Sequence, residues 1–180
     1  MYSSQSAAKA IPCEDGTAED QRAKPQRHGG APSVPRVESL GEFGLMITRQ
    51  LTQCRRYGAR MSVMWLEAES VEAAQEEVPQ EQRASLMTAV GRRLRSRVRG
   101  TDAVVQVGES SFAVLLIDAG APESDLVRHR LHHALGGSYG VGEGQLMHVR
   151  LRIGASSFPD GSSRGADLAQ LARDDLRARG

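Results

Sequence analysis

The chain has 180 residues, and its 23 lysines and arginines nearly balance its 22 aspartates and glutamates. This balance excludes a strong attraction to nucleic acid or to an acidic membrane, and no stretch approaches the ~20 apolar residues that span a bilayer. The N-terminus lacks the charged and then apolar order of a signal peptide, so we expect a cytoplasmic protein. Cys13 and Cys54 lack the spacing of metal ligands, so we expect no metal site and no cofactor. The length suits a single domain.

The first 38 residues differ in composition from the rest of the chain. They are rich in Ser, Ala, Pro, Gly and charge, and such a stretch cannot bury enough apolar surface to offset the entropy cost of ordering. We therefore predict a disordered tail over residues 1–38 and one domain over residues 39–180. From Leu40 onward, apolar residues recur at helical spacing up to Gly58, which is typical of a helix C-terminus.

The middle of the chain alternates between strand and helix patterns. The apolar run MSVMWLEA (61–68) predicts a central strand, and apolar residues every fourth position predict a helix over 80–99. Two β-rich runs at 102–107 and 111–118 surround a polar break that begins with Gly108. They predict a β-hairpin, and hairpin tips that interrupt a buried sheet are common places for chemistry.

The last third of the chain predicts two helices and a strand. SDLVRHRLHHAL (124–135) favours a helix with Ser124 as its N-cap, and the Gly-rich stretch 136–144 favours a flexible connection. MHVRLRIGASSF (147–158) alternates as a strand, and 165–179 is an amphipathic helix. The order α-β-α-β-β-α-β-α predicts an α/β fold with a mixed central β-sheet flanked by helices.

Three stretches carry a resemblance to a known family. They are RRYGARMSVMWLEAES (55–70), VGRRLRSRVRGTDAVVQVGESSFAVLL (90–116) and LRIGASSFPDG (151–161). Their order, spacing and turn residues resemble the GGDEF domain of bacterial diguanylate cyclases, which condense two GTP molecules into cyclic di-GMP. The resemblance covers roughly Arg36 to the C-terminus and implies the GGDEF, nucleotidyl-cyclase-like fold.

The signature of that family falls on the predicted hairpin tip. Gly108, Glu109, Ser110, Ser111 and Phe112 stand where the family has Gly-Gly-Asp-Glu-Phe. In the family, the acids at the third and fourth positions serve metal binding and activation of the 3′-hydroxyl. Neutral serine hydroxyls replace carboxylates poorly around a hard dication. The resemblance therefore implies a degenerate domain that is not an active cyclase.

Other positions of the family's active site are also changed. Glu67 and Glu69 stand at the two metal-binding aspartates, and they also fit solvated residues at a strand end. Glu72 replaces a lysine that faces phosphate, while Gln75 and Ala84 replace the Asn and Asp that read guanine. We predict no catalytic residue and no metal site in this chain.

One family feature is retained, an R-x-x-D motif that binds the product. Arg99 and Asp102 lie in its register, with Asp102 six residues before Gly108. The resemblance implies that Arg99 donates to guanine or phosphate, that Asp102 accepts from guanine, and that Arg130 completes the site, with Arg128 nearby. The same residues also fit an arginine-rich helix end followed by an ordinary turn.

These observations lead to one main hypothesis and two alternatives. The main one is a catalytically inactive GGDEF-like effector that binds cyclic di-GMP and changes its contact with an unidentified output protein. The first alternative is a ligand-free interaction or scaffold module used for docking or dimerisation, in which an internal Arg99–Asp102 salt bridge leaves no guanine slot. The second is a weak GTP-binding domain that uses Glu67.

Overall fold

The computed structural model describes residues 33–72, 77–142 and 144–179. Within these residues, four helices flank a six-stranded sheet. The helices are α1 (Leu40–Tyr57), α2 (Gln80–Arg95), α3 (Ala121–Leu135) and α4 (Gly165–Ala178). The strands are β1 (Arg36–Val37), β2 (Met61–Ser70), β3 (Ala103–Val107), β4 (Ser111–Ile117), β5 (Gly137–Gly142) and β6 (Gln145–Phe158). No helix of the described part is both long and apolar enough to cross a membrane.

The sheet is mixed, as the sequence predicts. Its strand order is β1-β3-β4-β2-β6-β5, with β1 parallel to β3 and every other neighbouring pair antiparallel. The apolar run of β2 lies in the middle of the sheet, between β4 and β6. The predicted hairpin is also present, because β3 pairs directly with β4.

Two hydrophobic cores cover the two faces of the sheet. Alternate side chains of β2 point to opposite faces: Leu66 packs with α2 and α3, whereas Trp65 packs with α1 and α4. Gly154 of β6 permits the close approach of α4, because a Cβ atom there would lie 2.1 Å from the carbonyl oxygen of Ala172. The central strands are thus fixed from both sides, which holds the hairpin rigidly.

The ordered domain begins before the boundary that we predicted at residues 38 and 39. Arg36 and Val37 form β1, the backbone N–H of Gln106 donates to the carbonyl of Pro35, and Val37 is buried. Two paired residues are too short to produce a periodic pattern, so composition alone placed them in the tail. Residues 1–32 of the predicted tail lie outside the described residues.

The start of α3 and the segment after it also differ from the prediction. The helix begins at Ala121 rather than after Ser124, because Pro122 suits a first turn and the Glu123 carboxylate accepts from the N–H of Gly120. Ser124 is therefore buried inside the helix.

The Gly-rich stretch predicted as a flexible connection contains the edge strand β5. Its anchor is Tyr139, which is buried beneath the guanidinium of Arg93 and donates its hydroxyl to the carbonyl of Leu135 at 2.6 Å. Glycines carry no side chain whose alternation could reveal a strand, so the pattern was missed there.

Candidate functional site

The hairpin tip holds the five residues at the place of the family signature. Gly108 has a φ of 93°, a conformation that side-chain-bearing residues rarely adopt. The Gln106 side chain donates to the carbonyls of Gly108 (3.2 Å) and Glu109 (3.3 Å). The carbonyl of Ser110 accepts from the N–H of Ala68 on β2 at 2.9 Å. The tip is therefore a fixed turn in which Glu109 and Ser110 are exposed.

Phe112 anchors the tip to the core. Its side chain is buried beneath α2, where a Cβ atom on Gly91 would come within 3.0 Å of the ring. Glycine at position 91 therefore makes room for the phenylalanine. Gly108 and Phe112 are the two residues that match the family signature, and both have a structural role: Gly108 allows the turn, and Phe112 packs in the core.

The carboxylates beside the tip are joined to an arginine of the neighbouring strand. Glu67 lies in β2 directly between Ser111 of β4 and Arg152 of β6, so the three side chains share one face of the sheet. The Nη2 atom of Arg152 lies 2.7 Å from Oε2 of Glu67 and 2.7 Å from Oε1 of Glu69. The two glutamates thus lie in the last four residues of β2 and are partly exposed, as in the alternative expectation, but they are also ion-paired.

This arrangement does not fit a divalent metal ion of the kind that the family uses. A hard dication needs several free oxygen ligands. One guanidinium already bridges Glu67 and Glu69, and the residue opposite Glu67 is the neutral Ser111. Among the described residues, no group of three or more His, Cys, Asp or Glu side chains is placed to hold a metal.

A cleft of about 1080 Å³ lies between the end of β2, the start of α2 and the hairpin tip. Its charged lining residues within the described chain are Arg36, Glu69, Glu77, Arg83 and Glu109. Ala84, at the place of a guanine-reading aspartate, contributes only a methyl group to the wall. Gln75, at the place of the guanine-reading asparagine, lies outside the described residues.

Glu72, at the place of the family's phosphate-facing lysine, is turned toward β6. Its Oε1 atom lies 2.8 Å from Nδ1 of His148, and its carboxylate also accepts from the backbone N–H of His148. The bond from the His148 side chain, followed by that from its backbone, lowers the pKa of Glu72 to about 2. Glu72 therefore ties the end of β2 to β6 as a negatively charged group.

The R-x-x-D motif lies at the base of the hairpin, opposite the tip. Helix α2 ends at Arg95, four residues earlier than predicted, so Arg99 belongs to the turn that leads into β3. The side chain of Asp102 is only 6% exposed, and its two oxygens accept from the N–H groups of Arg99 (2.9 Å) and Ile117 (3.2 Å). Arg99 itself is exposed, and its guanidinium has no hydrogen bond or ion pair within the described part of the chain.

The structure brings Arg130 to the same turn but gives Arg128 another partner. Arg130 of α3 donates from Nη2 to the carbonyl of Arg97 at 3.1 Å, whereas Arg128 pairs with Asp125 at 2.8 Å. Arg97 and Arg99, which follow α2, and Arg130 of α3 are all exposed, and they form a basic surface around residues 97–102. No salt bridge joins the side chains of Arg99 and Asp102 in the described structure.

Two arginines that bind groups near the hairpin tip and in the R-x-x-D turn were not identified from the sequence. Arg152 lies 85 positions after Glu67 and meets it only through the β2–β6 register. Arg95 donates to three carbonyl oxygens of the R-x-x-D turn. In sequence it is one of five arginines between residues 92 and 99, and nothing separates it from the other four.

Comparisons with known proteins identify the fold. Residues 41–179 match the family model described as the diguanylate cyclase GGDEF domain. The search of curated proteins gives no match. Among solved structures, the GGDEF domain of PA1120 (YfiN or TpbB) from Pseudomonas aeruginosa has a TM-score of 0.70 at 17% identity, covering 77% of this chain and 86% of that one.

Two further solved structures have the same fold at low sequence identity. The active GGEEF domain of a diguanylate cyclase from Vibrio cholerae has a TM-score of 0.67 at 12% identity, covering 82% of this chain and 90% of that one. Diguanylate cyclase SiaD from Pseudomonas aeruginosa, solved with its activator SiaC, has a TM-score of 0.65 at 14% identity, covering 76% and 53%. The family match spans most of the chain and agrees with the fold, and the chain therefore belongs to the GGDEF domain family.

Proposed function

We propose that this is a catalytically inactive GGDEF domain of the cytoplasm that binds cyclic di-GMP at the base of the β3–β4 hairpin. The main support for the loss of catalysis is the single guanidinium of Arg152, which bridges the carboxylates of Glu67 and Glu69. Phosphoryl transfer by this family relies on metal ions that bridge carboxylates and triphosphate. In place of the two acids of the family signature, the tip carries the neutral side chains of Ser110 and Ser111.

The cyclic di-GMP part of the proposal rests on the exposed cations of the turn. Arg99 projects into solvent with its donors unused within the described structure, and Arg130 reaches the same turn from α3. A guanidinium can donate two parallel hydrogen bonds to a guanine edge or to a phosphate. Asp102 was predicted to accept hydrogen bonds from guanine. Both of its oxygens already accept from backbone N–H groups, which disfavours that role.

The burial of Asp102 favours a second candidate function, an interaction module without a nucleotide. In that case the carboxylate only shapes the turn, and the exposed basic surface docks an output protein or a second copy of the chain. The related fold of SiaD is solved in complex with an activator protein, SiaC, which gives this candidate a structural precedent at the level of the fold.

Two experiments separate these functions. Incubation with GTP and Mg²⁺, followed by chromatography of the nucleotides, is expected to give no cyclic di-GMP; product formation would refute the inactive assignment. Calorimetric titration is expected to give saturable binding of cyclic di-GMP, with GTP and Mg²⁺ as the control ligand. Absence of heat with both ligands would favour the interaction module, and saturable Mg²⁺-dependent GTP binding would favour the weak GTP-binding alternative.

A further inference from the structure

The turn that carries Arg99 is held on its N–H side by one buried carboxylate. Asp102 accepts from the N–H of Arg99 through Oδ2 and from the N–H of Ile117 through Oδ1. The backbone N–H of Asp102 also donates to the carbonyl of Arg99 at 3.2 Å. The carboxylate therefore attaches the turn to the last residue of β4.

The same turn is held on its carbonyl side by one guanidinium. Nη1 of Arg95 donates to the carbonyl of Asp102 at 2.5 Å, and Nη2 donates to the carbonyls of Arg99 (3.0 Å) and Gly100 (3.2 Å). Arg95 is half-buried, and it is the last residue of α2. Its fork of donors thus binds three carbonyl groups of the turn that follows the helix.

We propose that Arg95 is a positioning residue for cyclic di-GMP, which fixes the backbone from which the Arg99 side chain projects. The inference rests on the proposed function and deepens it by separating two roles among the arginines of this segment. Arg99 contacts the ligand, whereas Arg95 donates its hydrogen bonds to the backbone of the turn. A turn that is ordered before binding does not have to be ordered by the ligand, so the affinity is higher.

The planar fork of arginine is essential to this role. A lysine at position 95 keeps the charge, but its ammonium is a compact point donor on a flexible stem and does not reproduce the fixed fork. Arg95→Lys therefore tests positioning alone, because it keeps the positive charge that attracts an anionic ligand and removes the fork that binds the turn. Arg92→Met is a matched control, because Arg92 is an exposed residue of α2 whose side chain has no hydrogen bond among the described residues.

The test measures cyclic di-GMP affinity and amide hydrogen exchange in the wild type, Arg95→Met, Arg95→Lys and Arg92→Met. We expect both Arg95 variants to weaken binding about 10-fold and to speed exchange at the N–H groups of Arg99 and Asp102 in the free protein. Arg92→Met is expected to change neither quantity by more than about 2-fold, because it removes only one exposed charge. Thermal unfolding of each variant reports whether the fold is intact, and Arg95→Lys is the variant to use if Arg95→Met does not fold.

Four outcomes would contradict the inference. If Arg95→Met and Arg92→Met bound cyclic di-GMP with equal affinity, the effect of Arg95 would be that of its charge alone. Wild-type affinity in Arg95→Lys would lead to the same conclusion. Unchanged exchange at Arg99 and Asp102 would show that the turn does not depend on Arg95. A wild type that does not bind cyclic di-GMP would refute the proposed function and the ligand part of this inference together, while the exchange data would still decide whether Arg95 holds the turn.

Discussion

The tip and the base of the β3–β4 hairpin both contain acidic and basic residues, but they use them in opposite ways. Beside the tip, the partly exposed carboxylates of Glu67 and Glu69 share the guanidinium of Arg152. At the base, the carboxylate of Asp102 is turned inward to backbone N–H groups, and the exposed group is the cation of Arg99. The two ends lie on either side of the seven residues of β4.

The two ends of the hairpin differ in the charged groups that they offer to a nucleotide. A negatively charged ligand needs donors or a metal ion to offset its charge. In the cleft beside the tip, the arginines Arg36 and Arg83 lie among three acids, Glu69, Glu77 and Glu109. Within the described residues, no group of three or more His, Cys, Asp or Glu side chains is placed to hold a metal ion. At the base, the guanidinium of Arg99 has no partner within the described part of the chain, and Arg95 and Asp102 bind the backbone of its turn. We therefore expect an anionic ligand to bind at the base of the hairpin rather than at the tip.

The largest expected effect comes from removing the side chain that supports the tip. Phe112→Ala deletes a buried ring that packs on Gly91, and it should lower the free energy of unfolding by about 3–5 kcal/mol. Urea denaturation monitored by circular dichroism measures this change. Tyr57→Ala removes an exposed aromatic ring and should change stability by no more than about 0.5 kcal/mol. A loss below about 1 kcal/mol for Phe112→Ala would mean that the ring does not anchor the tip.

The next largest effect concerns ligand affinity at the base. Arg99→Ala should weaken cyclic di-GMP binding by at least about 10-fold, because hydrogen bonds to a charged group contribute about 1.5–3 kcal/mol. The thermal midpoint should stay unchanged, since the side chain is exposed. Arg49→Ala, which removes a distant exposed charge of α1, is the control. Unchanged affinity in Arg99→Ala would contradict the site assignment.

A smaller effect is expected at the ion pairs beside the tip. Arg152→Met leaves Glu67 and Glu69 without their shared cation, and it should cost about 1 kcal/mol or less, because all three side chains are partly exposed. Arg49→Met, which removes an exposed arginine of α1 that has no side-chain partner among the described residues, is the control. The variant should still form no cyclic di-GMP from GTP, since Ser111 stays neutral. Cyclase activity in Arg152→Met would show that the guanidinium alone suppresses catalysis.

The smallest effect is a dependence of stability on pH. The folded-state pKa of Glu72 is about 2, below its ordinary value of 4.5. A lowered carboxyl pKa stabilises the fold above pH 4.5, and this contribution is lost as the pH falls from about 4.5 to about 2. Glu72→Gln should therefore reduce the fall of the thermal midpoint across this range. Glu109→Gln, which removes an exposed carboxylate of the tip, should leave that fall as in the wild type.

The elements with strong periodicity could be predicted from the sequence. The buried strand β2, the hairpin and the amphipathic helices α1 and α4 follow from apolar spacing, and Gly58 ends α1 in the left-handed conformation that was expected. The degenerate signature and the R-x-x-D motif were located through the resemblance, and the family match confirms that resemblance. Their binding and catalytic roles stay predictions.

The parts that could not be predicted depend on partners distant in sequence. The pairing of Glu67 with Arg152 needs the β2–β6 register, which local patterning does not supply. The edge strand β5 is held by Tyr139 beneath Arg93, a contact that its glycine-rich sequence does not reveal. The inward direction of Asp102 is set by the N–H of Ile117, fifteen residues later.

The most direct test of this account is amide hydrogen exchange of the wild-type protein with and without saturating cyclic di-GMP. Ligand at the base should protect residues 97–102 and leave the tip at residues 108–111 unchanged. Protection confined to the tip and the neighbouring cleft would contradict the assignment. No protection anywhere would mean that the domain does not bind this nucleotide and acts through its protein contacts.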